Sequence, residues 1–211
     1  MIRAEELKAR FAHHFEEALP EAARRTILLN ALAVFSRKGL AAAKISDIAE
    51  QAGFSQGYIY RYYKSKDELF TKLVEIAGAG SEDAVRCAFE GEGSPQERLT
   101  ALTEAFLSPD SLALNHWRLV LIQAASPDAI PADARRILQE TAGNPVEQLV
   151  RLIREGQEAG EFIHDDPLML AITYFSVVLG LAITRIQYGE RLPFPAPSVI
   201  LRFLTGKGEG A

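Results

Sequence analysis

Cysteine is almost missing from this chain. Cys87 is the only one in 211 residues, which excludes an intrachain disulfide and any multi-cysteine metal site and fits a reducing compartment. Long apolar runs are missing too. The most apolar stretch, around 171–183, is interrupted by Thr173, Tyr174, Ser176 and Gly180, short of the roughly 18–20 continuous apolar residues of a membrane span. The opening "MIRAEELKARFAHHFEEALPEAARR" mixes charges and has no apolar leader core. A cytoplasmic protein with no membrane partner is the expectation. Period-two alternation is absent, so nothing predicts a sheet. The chain also lacks a nucleophile motif, a glycine-rich phosphate loop and paired catalytic carboxylates, and an enzyme is not expected.

What is present is concentrated. "SDIAEQAGFSQGYIYRYYKSKDELF" (46–70) holds four of the six tyrosines, at Tyr58, Tyr60, Tyr62 and Tyr63, with Arg61, Lys64 and Lys66 among them. Residues 21–70 carry eight basic groups against five acidic ones, a net +3. The whole chain is −5, so the remainder is −8. A locally positive segment in an acidic protein suits a polyanion-binding face, though charge alone leaves chance variation open.

The apolar spacing predicts helices throughout. Leu7, Phe11, Phe15 and Leu19 form an i, i+4 stripe ahead of Pro20. A second helix from Glu21 ends at Gly39. Ser46 is the expected N-cap of a short helix to Gln51, broken at Gly53. Ser55 caps a helix over Gln56–Tyr63, on which Ile59 and Tyr63 share an inward face. Ser65 opens a longer helix, with Glu68 as its capping-box partner. Beyond the "GEGSP" turn, 96–107 and 110–125 read as helices. Residues 131–160 read as one helix interrupted near Gly143-Asn144-Pro145, and 166–189 as the most apolar helix.

Two short helices joined at Gly53-Phe54-Ser55 have the spacing of a helix-turn-helix, whose second helix enters the major groove. Tyrosine hydroxyls and lysines suit phosphates, and Arg or Gln can read base edges. Gly57 would allow close backbone approach. The phosphate contacts expected here are Lys44, Ser55, Lys64 and Lys66. The ordinary alternative makes these tyrosines core or surface aromatics of a bundle.

The stretch "FSRKGLAAAKISDIAEQAGFSQGYIYRYYKSKDELF" (35–70) resembles the DNA-binding domain of the TetR family of bacterial transcriptional regulators. Phe35, Gly39, Ile45, Ile48, Ala49, Gly53, Gly57, Tyr60, Tyr63 and Lys66 are among the residues that carry the likeness. "LIREGQEAGEF" and "DDPLMLA" resemble the family's usual ending. The resemblance implies an all-α homodimer with a helix-turn-helix domain at 21–66. A helical ligand-binding and dimerisation domain follows at 67–211, and 1–20 is an extra amphipathic segment. It implies binding to a palindromic operator, usually as a repressor. Lys66 and Tyr60 then correspond to phosphate contacts, and Gln56, Gly57, Tyr58, Arg61 and Tyr62 to recognition-helix positions. Ser46 falls where some members read a base. The threonine pair common before the bracing helix is Ala43-Lys44 here. The alternative is a helical ligand-binding or scaffold protein that no longer binds DNA.

Elsewhere, His13 and His14 point about 100° apart on a helix and make a poor metal pair. His164-Asp165-Asp166 is a turn in which Asp166 caps the next helix. No metal or cofactor is expected. Phe106, His116, Trp117, Gln123 and Tyr174 are candidate liners of a pocket for a small, largely apolar effector, since they set bulky aromatic and isolated polar groups on apolar helices. Helices near 146–160 and 167–188 are the expected dimer interface, the second being apolar nearly all round.

Overall fold

A computed structural model describes residues 3–108, 130–141, 144–188 and 193–206. Among the described residues every regular element is a helix. In chain order they are α1 (Ala4–Ala18), α2 (Ala22–Ala42), α3 (Ile45–Ala52), α4 (Gln56–Tyr60), α5 (Lys66–Glu90) and α6 (Pro95–Leu107). Then follow α7 (Ala132–Thr141), α8 (Asn144–Glu158), α9 (Pro167–Tyr188), α10 (Pro197–Ile200) and α11 (Arg202–Thr205). The expected helix at 110–125 lies outside the described residues.

The caps follow the chemistry of the sequence. Gly39, at φ 73° and ψ 164°, breaks α2 without ending it outright. Only glycine adopts that conformation cheaply. Ser94 and Pro95 open α6, with the Glu97 carboxylate returning to the Ser94 N–H at 3.0 Å. Asp166 accepts the Leu168 N–H at 2.9 Å and opens α9. One expected cap is displaced. Lys44, not Ser46, is the N-cap of α3, because the Asp47 carboxylate reaches back to the Lys44 N–H at 3.0 Å and starts the helix at Ile45. Glu68 also differs in detail. Its N–H donates to Ser65 Oγ at 3.0 Å, but its carboxylate takes the Lys64 N–H at 2.6 Å.

The long helix α5 is the organising element, packed against α1, α2, α6, α7 and α8. At its N-terminal end, Leu69, Phe70 and Leu73 join Ile27, Leu32 and Phe35 of α2, Ile48 of α3 and Ile59 of α4 in one buried core. The Phe35 and Phe70 rings meet edge-on at 5.6 Å. Burial of each such side chain stabilises by about 1.5–3 kcal/mol. At its other end α5 is tied to the body by a buried arginine. Arg98 of α6 donates to the Phe89 carbonyl and to Glu155 of α8. The helix α1 lies across α5 and α6, with Leu7 and Leu19 buried and Lys8 Nζ donating to Ser108 Oγ at 3.2 Å.

Candidate nucleic-acid interface

The turn between α3 and α4 is made by one left-handed glycine. Gly53 sits at φ 71° and ψ 27°, and the Phe54 N–H closes onto the Ala49 carbonyl at 2.9 Å. This is the bond that ends a helix and turns the chain sharply. Ser55 Oγ then accepts the Tyr58 N–H at 3.2 Å and starts α4. The second helix is shorter than expected. It ends at Tyr60 instead of Tyr63, and the Tyr62 and Tyr63 N–H groups both close onto the Ile59 carbonyl, at 2.9 and 3.1 Å. Ile59 is fully buried and Tyr63 is 4% exposed, so these two residues tie the segment to the core.

The rest of the segment faces outward. Lys44, Ser55, Gln56, Gly57, Tyr60, Arg61 and Lys64 are exposed, while Ser46, Tyr58, Tyr62 and Lys66 are half-buried. A Cβ at Gly57 would meet only Ser55 Oγ, at 4.0 Å, so the helix surface there is open. A ladder of rings runs along its flank. Phe54 meets Tyr58 at 4.8 Å, and Tyr58 meets Tyr62 at 5.3 Å with their hydroxyls 3.1 Å apart. The Arg61 guanidinium covers the Tyr58 ring at 5.6 Å. The hydrogen bond to Tyr58, with the Glu21 carboxylate nearby, pushes the Tyr62 phenol up to about 12.

Sequence reasoning passed over Arg24. From α2 its guanidinium lies over the Tyr62 ring at 5.4 Å and the Tyr63 ring at 5.9 Å, while Nε donates to Glu21 at 3.1 Å. Nothing local in the sequence marks it, because its partners stand 38 and 39 residues away. Asp47 also faces this side. The Lys38 ammonium 3.0 Å from it, with the Lys44 N–H, holds its carboxyl below the usual carboxylate range.

Lys66 has an unexpected environment. Its ammonium donates to the carbonyls of Leu40 at 2.6 Å, Ala41 at 3.3 Å and Ala43 at 3.0 Å.

Phe106 is 3% exposed, and Tyr174 is fully buried. Thr103 Oγ1 donates to the Leu99 carbonyl at 2.7 Å, so at 3.0 Å the Tyr174 hydroxyl donates to Thr103. Burial pushes the Tyr174 phenol far up. His116, Trp117 and Gln123 lie outside the described residues. A groove of about 540 Å³ runs between α1 and α6, lined by Arg3, Glu5, Glu97, Thr100, Glu104 and Glu161 among others, and includes neither Phe106 nor Tyr174.

The helix-turn-helix, its glycine turn and its capped second helix match known proteins. The profile described as "Bacterial regulatory proteins, tetR family" covers residues 27–73, from α2 into α5. The chain carries the tetR-family domain of bacterial regulatory proteins over residues 27–73. It is a transcriptional regulator, like the relatives it resembles over most of its length. The chain is 28% identical to the HTH-type transcriptional regulator YfiR of Bacillus subtilis over 156 residues, 71% of this chain and 72% of that one. It is 26% identical to the repressor KstR2 of Mycobacterium tuberculosis over 142 residues, 67% and 70% of the two chains. A protein of Saccharomonospora viridis, solved in complex with choline, shares the fold with a TM-score of 0.67 at 22% identity, over 84% of this chain and 91% of that one.

Proposed function

We propose that this tetR-family regulator binds a palindromic operator as a homodimer, acts as a repressor, and releases DNA when a small, largely apolar effector enters its C-terminal domain. One observation carries the DNA reading. The segment α4 buries Ile59 completely and turns Gln56, Gly57, Tyr60 and Arg61 outward beside exposed Lys44 and Lys64. A helix anchored by one apolar side chain, with donors and cations on its other faces, suits the major groove. Gln56 and Arg61 are assigned to base edges. Ser46 is assigned to a base edge, Tyr58, Tyr60 and Tyr62 reach bases or backbone, and Lys44, Ser55 and Lys64 supply phosphate contacts. The DNA-binding unit is 21–66 and the effector and dimer body 67–211, with α1 resting on that body.

The dimer reading rests on α9. Leu168, Met169, Ile172 and Ile183 are exposed on it. By length and composition, 167–184 would also pass for a membrane span. In this fold the helix instead packs on α6 and α8, with Ala171, Tyr174 and Ala182 buried, and its outer face suits a second copy. The exposed side of α8 carries Glu147, Arg151, Arg154 and Glu158, so α9 supplies the apolar part of the expected pair. A two-fold pair would set two recognition helices about one DNA turn apart.

The effector reading is supported by the buried Phe106 and Tyr174 between α6 and α9 and by the choline-bound relative of the same fold. The protein acts in the cytoplasm by binding, without catalysis. The test is selection of duplex DNA from a random pool. A palindrome should be enriched, and its complex should weaken steeply with salt. Equal recovery of all sequences would end the operator reading.

A further inference from the structure

The three carbonyls around Lys66 share a place in the chain. They belong to the short run after the Gly39 break, which leads from α2 into α3. Breaking a helix strands carbonyls that would otherwise accept N–H groups further along. An ammonium has three donors, and here each meets one carbonyl. The lysine stands at the first position of α5 and is half-buried. Its ammonium therefore points back into the protein, and the part-buried Leu40 and Ala43 carbonyls, with less access to water, gain most from that cation.

We propose that Lys66 is a positioning residue, the joint that fixes the N-terminal end of α5 to the lead-in of α3, so that α5 and the helix-turn-helix move as one body. The assignment deepens the DNA reading above and rests on it for its functional consequence. It also departs from the phosphate role that family resemblance gives this lysine. One residue after the joint, Lys44 caps α3 and is exposed at the DNA face, and Ser46 follows within the first turn. Holding the Ala43 carbonyl thus holds the backbone from which both side chains project. On the other side of the joint Leu69 and Phe70 are fully buried, so α5 cannot drift from the core to follow a loose lead-in. The joint transmits position between two rigid pieces and touches no phosphate.

The test uses full-length Lys66→Met, with Lys66→Gln, which keeps two donors, as the milder variant should the first not fold. Amide hydrogen exchange is followed at Asp47 and Ile48, which donate to the Lys44 carbonyl. DNA affinity is followed against salt with a duplex enriched by the wild type. Exchange at these amides should quicken roughly tenfold, the factor that loss of one charge-assisted hydrogen bond corresponds to. Exchange in α9 should not change. DNA affinity should fall with the salt slope unaltered. A slope reduced by about 0.9 per lysine would show a direct phosphate contact and overturn the assignment. So would a folded variant with wild-type exchange and affinity. Should the wild type enrich no duplex, the DNA reading falls, and the exchange data still decide whether the joint exists.

Discussion

The segments α4 and α9 both turn much of their surface outward, for opposite reasons. The first has five residues and, with Arg61 that follows it, shows the solvent an amide, a glycine, a phenol and a guanidinium. The second has 22 residues and shows leucine, methionine and isoleucine. Polar groups on α4 lose little by waiting in water, and can trade it for phosphates and base edges. The apolar groups on α9 gain only by leaving water. These exposed surfaces are why the proposed partners differ: a hydrated polyanion for α4, a matching apolar helix for α9.

The largest expected effect breaks the α9 side. Ile172→Glu should leave the protomer folded, since Ile172 is 46% exposed. A charge in a desolvated two-fold interface costs several kcal/mol. The variant should sediment as a monomer at micromolar concentration and bind the operator at least about a hundredfold more weakly, roughly 2.7 kcal/mol. A dimer with unchanged affinity would remove α9 from the interface.

Next come Gln56 and Arg61, the side chains proposed to read bases. Gln56→Ala and Arg61→Ala should each cost about 1–3 kcal/mol on the preferred operator and relax the preference at one position. Repeated selection from a random pool measures this. Equal loss on operator and random DNA would make them backbone contacts.

Arg24→Ala is expected to be milder. Its guanidinium is exposed and stacks on two rings, an arrangement worth roughly 0.5–1 kcal/mol. DNA affinity should fall by about that much, and the Tyr62 ring should reorient. Near-ultraviolet dichroism would register the second change. The loss should vanish in a Tyr62→Leu background if the stack is what matters.

The smallest effect is on stability. Among the described residues the buried Tyr63 hydroxyl has no hydrogen-bond partner. Tyr63→Phe should be neutral or stabilise by up to about 1 kcal/mol. Desolvation pushes the Tyr63 phenol up to about 12. The unfolded chain ionises first, near pH 10, so this group's contribution is complete below pH 10 and lost as pH rises towards 12. Chemical denaturation at pH 8 and pH 11 should show a smaller alkaline loss in the phenylalanine variant.

What the sequence made legible was local. Gly53, Ser55, Ser65 and Asp166 carry their conformational preference in their own side chains or lack of one, and the structure uses each as a stop or a cap. Ile59 and Tyr63, four residues apart, announced a shared inward face. The failures began one step further out. Ser46 looked the better cap because serine is a good acceptor, but Asp47 competes for the same turn and brings Lys38 with it. The early end of α4 follows from tertiary anchoring at Ile59, and helix propensity says nothing about that. Lys66 and Arg24 find their partners more than twenty residues away in sequence. A long flexible side chain gives no local sign of whether it will reach outward to DNA or inward to a carbonyl. Of the expected effector liners, Phe106 on α6 and Tyr174 on α9 are both buried in the body, while the other three fall outside the described residues.

The helix α5 has a mechanical consequence. Its 25 residues make a rod about 37 Å long, and a tilt of only about 3° at one end carries the other end through about 2 Å. The end near Phe89 is fastened by Arg98 to α6 and α8, which makes it the fulcrum. The free travel then appears at Lys66. Hydrogen bonds to phosphates and bases tolerate a few tenths of an ångström. A displacement inside the body too small to disturb its packing is thus magnified, by leverage alone, beyond what the contacts at the far end can follow.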